Sequence, residues 1–217
     1  MGEALDRWSE KRLLVVVQAP EREALMSRAM AAVEGGIELL ALPVSVPFVA
    51  EIAAEVGDRA DVIVGLSDVV RAEHLNIALA AGVELVISPI FDLELVSTAR
   101  ERGLDLLPTV TTPNELHQAL RVHDGPLGLG PVQGFGGLAY FDLVHQAFPE
   151  AELVPLGGVG SDTAPQFLEH GAHAVVVDTG LFPAEMDPES AQVVTVRAGA
   201  LVELCAEIVP GERQSVV

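Results

Sequence analysis

Two aspartates, Asp68 and Asp178, each follow directly on an apolar, strand-like run. Together with the side chains of Ser67, Gln133 and Thr179, their carboxylates could form an oxygen-lined site of the kind that Mg²⁺ accepts. A metal ion there could polarise a carbonyl group of a substrate. The alternative is that each aspartate caps the helix that follows its strand.

The other reactive side chains form no catalytic arrangement in the sequence. The six histidines show neither an HxH nor an HExxH pattern, and His170 and His173 flank Gly171 at a predicted helix end. Cys205 lies among apolar residues of the last predicted helix, which is typical of a core residue rather than a nucleophile. Lys11, the only lysine, precedes the first strand, so we expect it at the end of the fold opposite the strand-end aspartates.

A glycine-rich turn, Gly134-Phe135-Gly136-Gly137, precedes a predicted helix. Such a turn can hold an anion on backbone N–H groups at the helix N-terminus. It can equally be a flexible connection, and the sequence leaves both interpretations open.

Composition limits the class of protein. Half of the 217 residues are hydrophobic and the mean hydropathy is +0.40, which is enough for one buried core. No apolar run reaches the ~18 residues needed to span a membrane. A net charge of −20 without a basic stripe excludes nucleic acid and anionic membranes as partners. One cysteine excludes an internal disulfide, and the N-terminus lacks the apolar segment of a signal peptide, so we expect a cytoplasmic protein.

The chain alternates eight times between apolar strand-like runs and amphipathic helical stretches. The predicted strands are Leu13–Gln18, Glu38–Leu42, Asp61–Val64, Leu85–Ser88, Asp105–Leu107, Leu127–Leu129, Glu152–Pro155 and Ala174–Val177. Eight βα units of about 25 residues predict an α/β fold, a single (β/α)₈ TIM barrel over residues 1–217. An extra helix falls within residues 1–12 and a frayed tail within 211–217; an open doubly wound sheet is the alternative.

Local signals mark the ends of the helices. The predicted helices include Arg22–Val33, Val69–Ala80, Leu93–Arg102 and a long last helix, Glu189–Ile208. Glycines are expected just past helix ends at Gly35-Gly36, Gly57, Gly82, Gly103 and Gly171. Thr112-Pro113-x-Glu115 and Ser161-Asp162 read as helix starts.

A barrel of this kind carries its site at the C-terminal ends of the strands. The segments there are GGIELLALPVSVP (35–47), VGLSDV (64–69), ISP (87–89), LPTVTTPNEL (107–116), LGLGPVQGFGG (127–137) and VPLGGV (154–159). In order and spacing they resemble the 2-keto-3-deoxy-6-phosphogluconate / 4-hydroxy-2-oxoglutarate (KDPG/KHG) aldolases, from Leu13 to Pro183. The resemblance implies a trimeric barrel in which a lysine forms a Schiff base with pyruvate and a glutamate moves the proton.

Matched to that family, the catalytic positions carry other residues. Gly128 occupies the position of the family's Schiff-base lysine, and Ala41 occupies that of the glutamate. Gln18 and Ser45 fall at the positions of two arginines, so we expect no arginine side chain at a strand end. Leu156 replaces the threonine before the Gly-Gly turn.

The strand-end residues divide into those that match the family and those that do not. The matching ones are Ser88, Pro89, Thr112, Pro131, Gly157 and Gly158, most of which we interpret as scaffold. Asp178-Thr179 replaces the small residues of the family's phosphate loop. The candidate binding residues at the barrel mouth are Ser67, Asp68, Ser88, Thr112, Gln133, Gly157, Gly158, Asp178 and Thr179.

These substitutions lead to two hypotheses. In the first, the chain is a divergent KDPG/KHG aldolase-like barrel without Schiff-base activity: a homotrimeric pseudoenzyme that binds a small molecule or acts as a scaffold. In the second, it is a lyase or another enzyme for carbonyl or carboxylate substrates that uses a metal ion or different residues at the mouth. The sequence requires no cofactor, and a divalent metal on Asp68 and Asp178 stays open.

Overall fold

The computed structural model describes residues 2–59, 62–183 and 187–208, in which helices and strands alternate after a first helix. The helices are α1 (Glu3–Lys11), α2 (Arg22–Glu34), α3 (Val49–Arg59), α4 (Ala72–Ala80), α5 (Leu93–Glu101), α6 (Pro113–Ala119), α7 (Leu138–Ala147), α8 (Ala164–Glu169) and α9 (Pro188–Glu207). The strands are β1 (Leu13–Val16), β2 (Leu39–Pro43), β3 (Ile63–Ser67), β4 (Leu85–Ile87), β5 (Asp105–Leu107), β6 (Thr109–Val110), β7 (Leu127–Leu129), β8 (Leu153–Pro155) and β9 (Val175–Val177). A 3₁₀ turn, Gln133–Phe135, precedes α7. None of the described helices is long and apolar enough to cross a membrane.

All strand pairs are parallel, as the α/β prediction required. The order is β5-β4-β3-β2-β1-β9 in a six-stranded sheet and β6-β7-β8 in a three-stranded sheet. The single closed eight-stranded sheet is therefore not what the described residues form. Pro108, which lacks an N–H group, separates β5 from β6. Beside β8 and β9, the N–H of His173 donates to the carbonyl of Leu153 at 2.9 Å, and an isolated bridge pairs Gly160 with Thr179 just beyond the two strands.

The strands are buried on both faces, which accounts for their nearly continuous apolar sequences. One cluster lies inside the curved sheets and includes Leu14, Val16, Leu39, Ala41, Leu85, Ile87, Leu107, Val154 and Val176. A second cluster holds the alternate strand residues, such as Leu13 and Val15, against the helices.

The N-terminal helix, predicted within residues 1–12, closes the inner cluster at the amino ends of the strands. Trp8 is 2% exposed and belongs to that cluster. The Asp105 carboxylate accepts hydrogen bonds from the N–H groups of Gly2 at 2.9 Å and Leu5 at 3.1 Å. The Lys11 Nζ lies 2.7 Å from a carboxylate oxygen of Glu38, just before β2. The only lysine is therefore at the end opposite the strand-end aspartates, as predicted.

The capping box at Thr112 and Glu115 is confirmed, and Gly36, Gly82, Gly103 and Gly171 have positive φ after their helices. Two boundary predictions were wrong. Gly57 lies within α3, and α8 begins at Ala164 after Thr163 rather than at Ser161-Asp162. The predicted tail at 211–217 lies outside the described residues.

Asp68 does not cap the next helix, because α4 begins at Ala72 and its N-cap residue is Arg71. The helix predicted over Val69–Ala80 therefore begins three residues later than expected, at Ala72. The N–H of Val69 bonds to the carbonyl oxygen of Ile87 at 3.1 Å, which keeps the chain beside β4 after β3 has ended.

Candidate functional site at the strand ends

Five residues chosen from the sequence line one cavity of about 280 Å³ at the carboxyl ends of the strands: Gln18, Ser67, Asp68, Gly157 and Asp178. These residues, which are distant in sequence, therefore lie around one cavity. Asp68 is exposed and has a φ of 61°, and its Oδ2 lies 3.4 Å from the Oγ of Ser67. The wall of the cavity also has an apolar part, made by Val16, Ile87, Leu156 and Val176.

Asp178 binds the backbone of the glycine turn that follows β8. Both of its carboxylate oxygens lie 3.0 Å from the nitrogen of Gly158, whose N–H donates to them. Burial raises the pKa of Asp178, against the opposing effect of backbone N–H groups, that of Gly158 first. Asp178 is not a helix cap, since the N-cap residue of α9 is Asp187. Its carboxylate instead accepts the hydrogen bond of the Gly158 N–H, so this donor is not available to an anionic ligand.

Two further candidates have structural roles away from the cavity lining. Ser88 is fully buried, and its Oγ accepts from the N–H of Ile90 at 3.3 Å. The Thr112 hydroxyl accepts from the N–H of Glu115 in the capping box.

Gln133 and Thr179 also lie outside the lining and act through their backbones. The N–H of Gln133 donates to the carbonyl of Gly157 at 3.2 Å, and Thr179 forms the bridge to Gly160. Within the described ranges, no group of three His, Cys, Asp or Glu side chains could hold a metal ion. Asp68 and Asp178 thus share a cavity without a third ligand of these types.

Little room exists above Gly128 of β7. A Cβ atom added there would lie 2.5 Å from the Oγ1 of Thr109 and 2.7 Å from the Cδ2 of Leu156, closer than real Cβ contacts. Ala41, on β2, is fully buried in the inner cluster.

A family model described as KDPG and KHG aldolase matches residues 5–196 of this chain. The chain belongs to the KDPG and KHG aldolase family. The resemblance found at the strand ends is therefore confirmed over most of the length.

Individual members of the family are distant relatives. The 2-dehydro-3-deoxy-phosphogluconate aldolase of Treponema pallidum is 27% identical over 184 residues, which cover 84% of this chain and 86% of that protein. A structure of the Zymomonas mobilis 2-keto-3-deoxy-6-phosphogluconate aldolase with 3-phosphoglycerate has a TM-score of 0.81 at 21% identity, covering 95% of this chain and 97% of that one. The Legionella pneumophila KDPG aldolase, with pyruvate captured as a covalent carbinolamine, has a TM-score of 0.74 at 21% identity over 95% and 98% of the two chains. At these identities the two structures establish the fold alone.

In this KDPG/KHG family chain, Thr109 belongs to the cavity lining, although the sequence did not identify it as a candidate site residue. It is 4% exposed, and its Oγ1 is buried with no hydrogen-bond partner among the described residues. The available signal was a threonine two residues after the buried Leu107, on the same face of an interrupted strand. A buried hydroxyl without a partner costs free energy, so this position is not explained by packing alone.

Thr109→Val is expected to raise the free energy of unfolding by about 1 kcal/mol, because valine keeps the shape and removes the unpaired hydroxyl. Thr111→Val is the matched control. The Thr111 Oγ1 donates to the carbonyl of Gly130 at 2.7 Å, so its loss should destabilise the protein. Urea unfolding measures both, and a Thr109→Val variant as destabilised as Thr111→Val would contradict the assignment.

Arg28 is the second residue that was missed. From α2 its guanidinium donates to the carbonyl oxygens of Gln18 and, at 2.6 Å, Pro183. It lines a neighbouring pocket that also includes Gln18 and Asp68. The expectation that no arginine reaches a strand end was therefore wrong, because the long side chain spans the distance from a helix.

The remaining reactive groups have packing or surface contacts. The Nδ1 of His170 lies 2.8 Å from the carboxylate of Asp142, and the Nε2 of His173 lies 2.9 Å from the Oγ of Ser9. Burial raises the pKa of Cys205 to about 11, so the thiol is protonated at neutral pH and is a poor nucleophile.

Proposed function

We propose that this chain is a KDPG/KHG family member that forms no Schiff base and whose mouth binds a small neutral or cationic molecule. The observation that carries this proposal is the space above Gly128. A lysine side chain at this position would have to pass through the volume that Thr109 and Leu156 fill.

The other requirements of imine chemistry point the same way. Lys11 is the only amine side chain in the sequence and is paired with Glu38 at the opposite end of the strands. Ala41 stands where the resemblance puts the proton-moving glutamate, and it offers no titratable group. A pseudoenzyme with a binding or scaffold role fits these substitutions.

The unmodified protein is expected not to bind phosphorylated sugar acids, because the Asp178 carboxylate occupies the Gly158 N–H. A carboxylate about 4 Å from a phosphate costs about 1 kcal/mol per charge pair even in water, and more in a partly dry pocket. Asp178→Gly should create binding, since it frees the N–H group and removes the charge. Calorimetry with 2-keto-3-deoxy-6-phosphogluconate checks both, alongside an assay for released pyruvate.

Asp124→Asn, at an exposed position before β7, is the control for loss of one negative charge. Micromolar binding or pyruvate release by the unmodified protein would contradict the proposal. Equal phosphate binding by Asp124→Asn and Asp178→Gly would show that only net charge matters.

A metal-assisted lyase is the second candidate, because Asp68, Asp178 and Ser67 line one cavity. Two carboxylates and a hydroxyl could hold Mg²⁺, which keeps several waters and would polarise a carbonyl oxygen of a 2-oxo acid. Cleavage of a 2-oxo acid that depends on added Mg²⁺, stops with chelator and is lost in Asp178→Asn would favour this candidate.

We further propose that residues 1–217 form one domain in which the two sheets close as a (β/α)₈ barrel. β5 and β6 are separated by Pro108 alone, and the Gly160–Thr179 bridge joins the segments that follow β8 and β9. The main-chain N–H of Asp178 also bonds to the carbonyl of Val159 at 3.1 Å.

The assembly that we propose is a homotrimer. Phe48, Leu93 and Phe135 are 67%, 58% and 53% exposed, which supports an association that would cover them. Light scattering should give three times the chain mass, and association should strengthen with salt as the −20 charge is screened. A monomer mass at micromolar concentration would contradict it.

A further inference from the structure

The seam between β8 and β9 is where the three-stranded sheet faces the end strand of the six-stranded sheet. Among the described residues, these two strands pair with β7 and with β1, and not with each other. At the amino end of the seam, the N–H of His173 donates to the carbonyl of Leu153 at 2.9 Å. At the carboxyl end, the N–H groups of Asp178 and Thr179 donate to the carbonyl of Val159 at 3.1 and 3.3 Å. Single hydrogen bonds therefore stand along this seam in place of a continuous ladder.

The side chain of Asp178 adds to the carboxyl end of this seam. Asp178 follows β9, and its two carboxylate oxygens both lie 3.0 Å from the nitrogen of Gly158, in the turn after β8, so they share one N–H group. Burial raises the pKa of this carboxyl, whereas the N–H of Gly158 and also those of Gly157 and Val159 act to lower that pKa. The carboxylate therefore faces several N–H groups of the turn on the other side of the seam.

The mouth cavity lies across the same two sheets. Val16 and Val176 line it from the six-stranded sheet, whereas Pro131 and Leu156, which follow β7 and β8, line it from the other side. Asp178 itself belongs to the lining. Because the cavity has walls from both sheets, moving the sheets apart at the carboxyl end of the seam would widen it. The hydrogen bonds across the seam therefore control access to the cavity.

We propose that the Asp178 carboxylate is a latch that holds the mouth closed, by tying the turn after β8 to the end of β9. Hydrogen bonds to a charged acceptor are stronger than those between neutral groups, so this side chain has a large share in closing this end of the seam. The role is one of positioning, since Asp178 acts on the geometry of the cavity in the free protein. It goes beyond the proposed function, because it holds for any ligand of the mouth.

Asp178→Ala tests the latch by amide hydrogen exchange on the full chain, followed residue by residue with NMR. The N–H of Thr179 crosses the seam beside the latch and should exchange at least about tenfold faster than in the parent protein. The N–H of Leu156 donates to the carbonyl of Leu129 within the three-stranded sheet and should change by less than about threefold. A purely structural role would instead accelerate both amides by the same factor, through global unfolding.

Two further variants are the controls. Asp178→Asn keeps an acceptor oxygen and removes the charge, so Thr179 should exchange at a rate between those of the parent protein and Asp178→Ala. This conservative variant carries the test if Asp178→Ala folds poorly. Asp92→Ala removes a carboxylate that accepts from a backbone N–H far from the seam, that of Leu95 at 2.8 Å. It should leave the exchange of Thr179 unchanged.

Formate is the probe for chemical rescue. It matches the carboxylate that Asp178→Ala lacks, so it should slow the exchange of Thr179 toward the parent rate, whereas sodium chloride at the same ionic strength should not. The inference is overturned if Asp178→Ala leaves Thr179 unchanged, if Thr179 and Leu156 accelerate alike, or if formate restores no more than chloride does. None of these outcomes bears on the missing Schiff base, which is tested separately by trapping with pyruvate.

Discussion

Gly128→Ala is expected to destabilise the protein by about 1–3 kcal/mol, the cost of forcing extra atoms into a filled core. The added Cβ would meet Thr109 and Leu156 at 2.5 and 2.7 Å. Gly128→Lys should cost at least as much and should not restore aldol cleavage, because Ala41 still leaves no group to move the proton. Urea unfolding measures the stability, and pyruvate release measures the activity.

Gly57→Ala is the matched control for the change from glycine to alanine. Gly57 lies in α3, and an added Cβ there meets nothing within 4 Å, so this variant should gain about 0.5–1 kcal/mol. Leu156→Ala should make room above Gly128. The Gly128→Ala, Leu156→Ala double variant should therefore be less destabilised than the sum of the single ones by about 1 kcal/mol. Strict additivity, or a neutral Gly128→Ala, would show that the space is not filled.

Arg12→Ala is expected to have the largest effect on stability, a loss of about 3 kcal/mol or more, since charge-assisted hydrogen bonds contribute about 1.5–3 kcal/mol each. Arg12 is 7% exposed. Its guanidinium donates to the carbonyl oxygens of Ala172, Ile208 and His173 at 2.8, 3.0 and 3.1 Å. The substitution leaves these carbonyls without the guanidinium donors and removes the side-chain hydrogen bond from the start of β1 to Ile208, just after α9.

The backbone of Arg12 allows a second comparison. Its φ is 60°, so Arg12→Gly should be less destabilised than Arg12→Ala by about 1 kcal/mol, the cost of a left-handed conformation for alanine. Arg121→Ala, at an exposed position, should stay within about 0.5 kcal/mol of the parent protein. Thermal and urea unfolding distinguish the three, and an Arg12→Ala variant as stable as Arg121→Ala would remove the structural role of this arginine.

The regular elements could be predicted from sequence because their signals are local. Apolar runs such as Leu13–Val16 and the capping box at Thr112 depend on neighbours in the chain. Pro108 is visible in the sequence as a residue that interrupts a strand. Whether it divides the sheet in two depends on how the strands on either side pair, which the sequence does not give.

The site was predictable only in part, because its decisive contacts are distant in sequence. Counting strands was enough to predict that Asp68 and Asp178 lie at the same end of the sheet, because each follows the carboxyl end of a parallel strand. The contact of Asp178 with Gly158, the reach of Arg28 to Gln18 and the crowding of Gly128 by Leu156 depend on side-chain packing between elements. A pattern of residue types predicts which element ends meet, not which atoms fill the space between them.

Reductive trapping tests the central claim most directly. The protein is incubated with pyruvate and borohydride, and its intact mass is measured, with a Schiff-base KDPG aldolase treated in parallel to show that trapping works. We expect the control to gain a pyruvate adduct and this protein to gain none, because its only lysine, Lys11, lies in an ion pair with Glu38 at the far end of the strands. A pyruvate adduct on this protein, mapped to Lys11, would contradict the account.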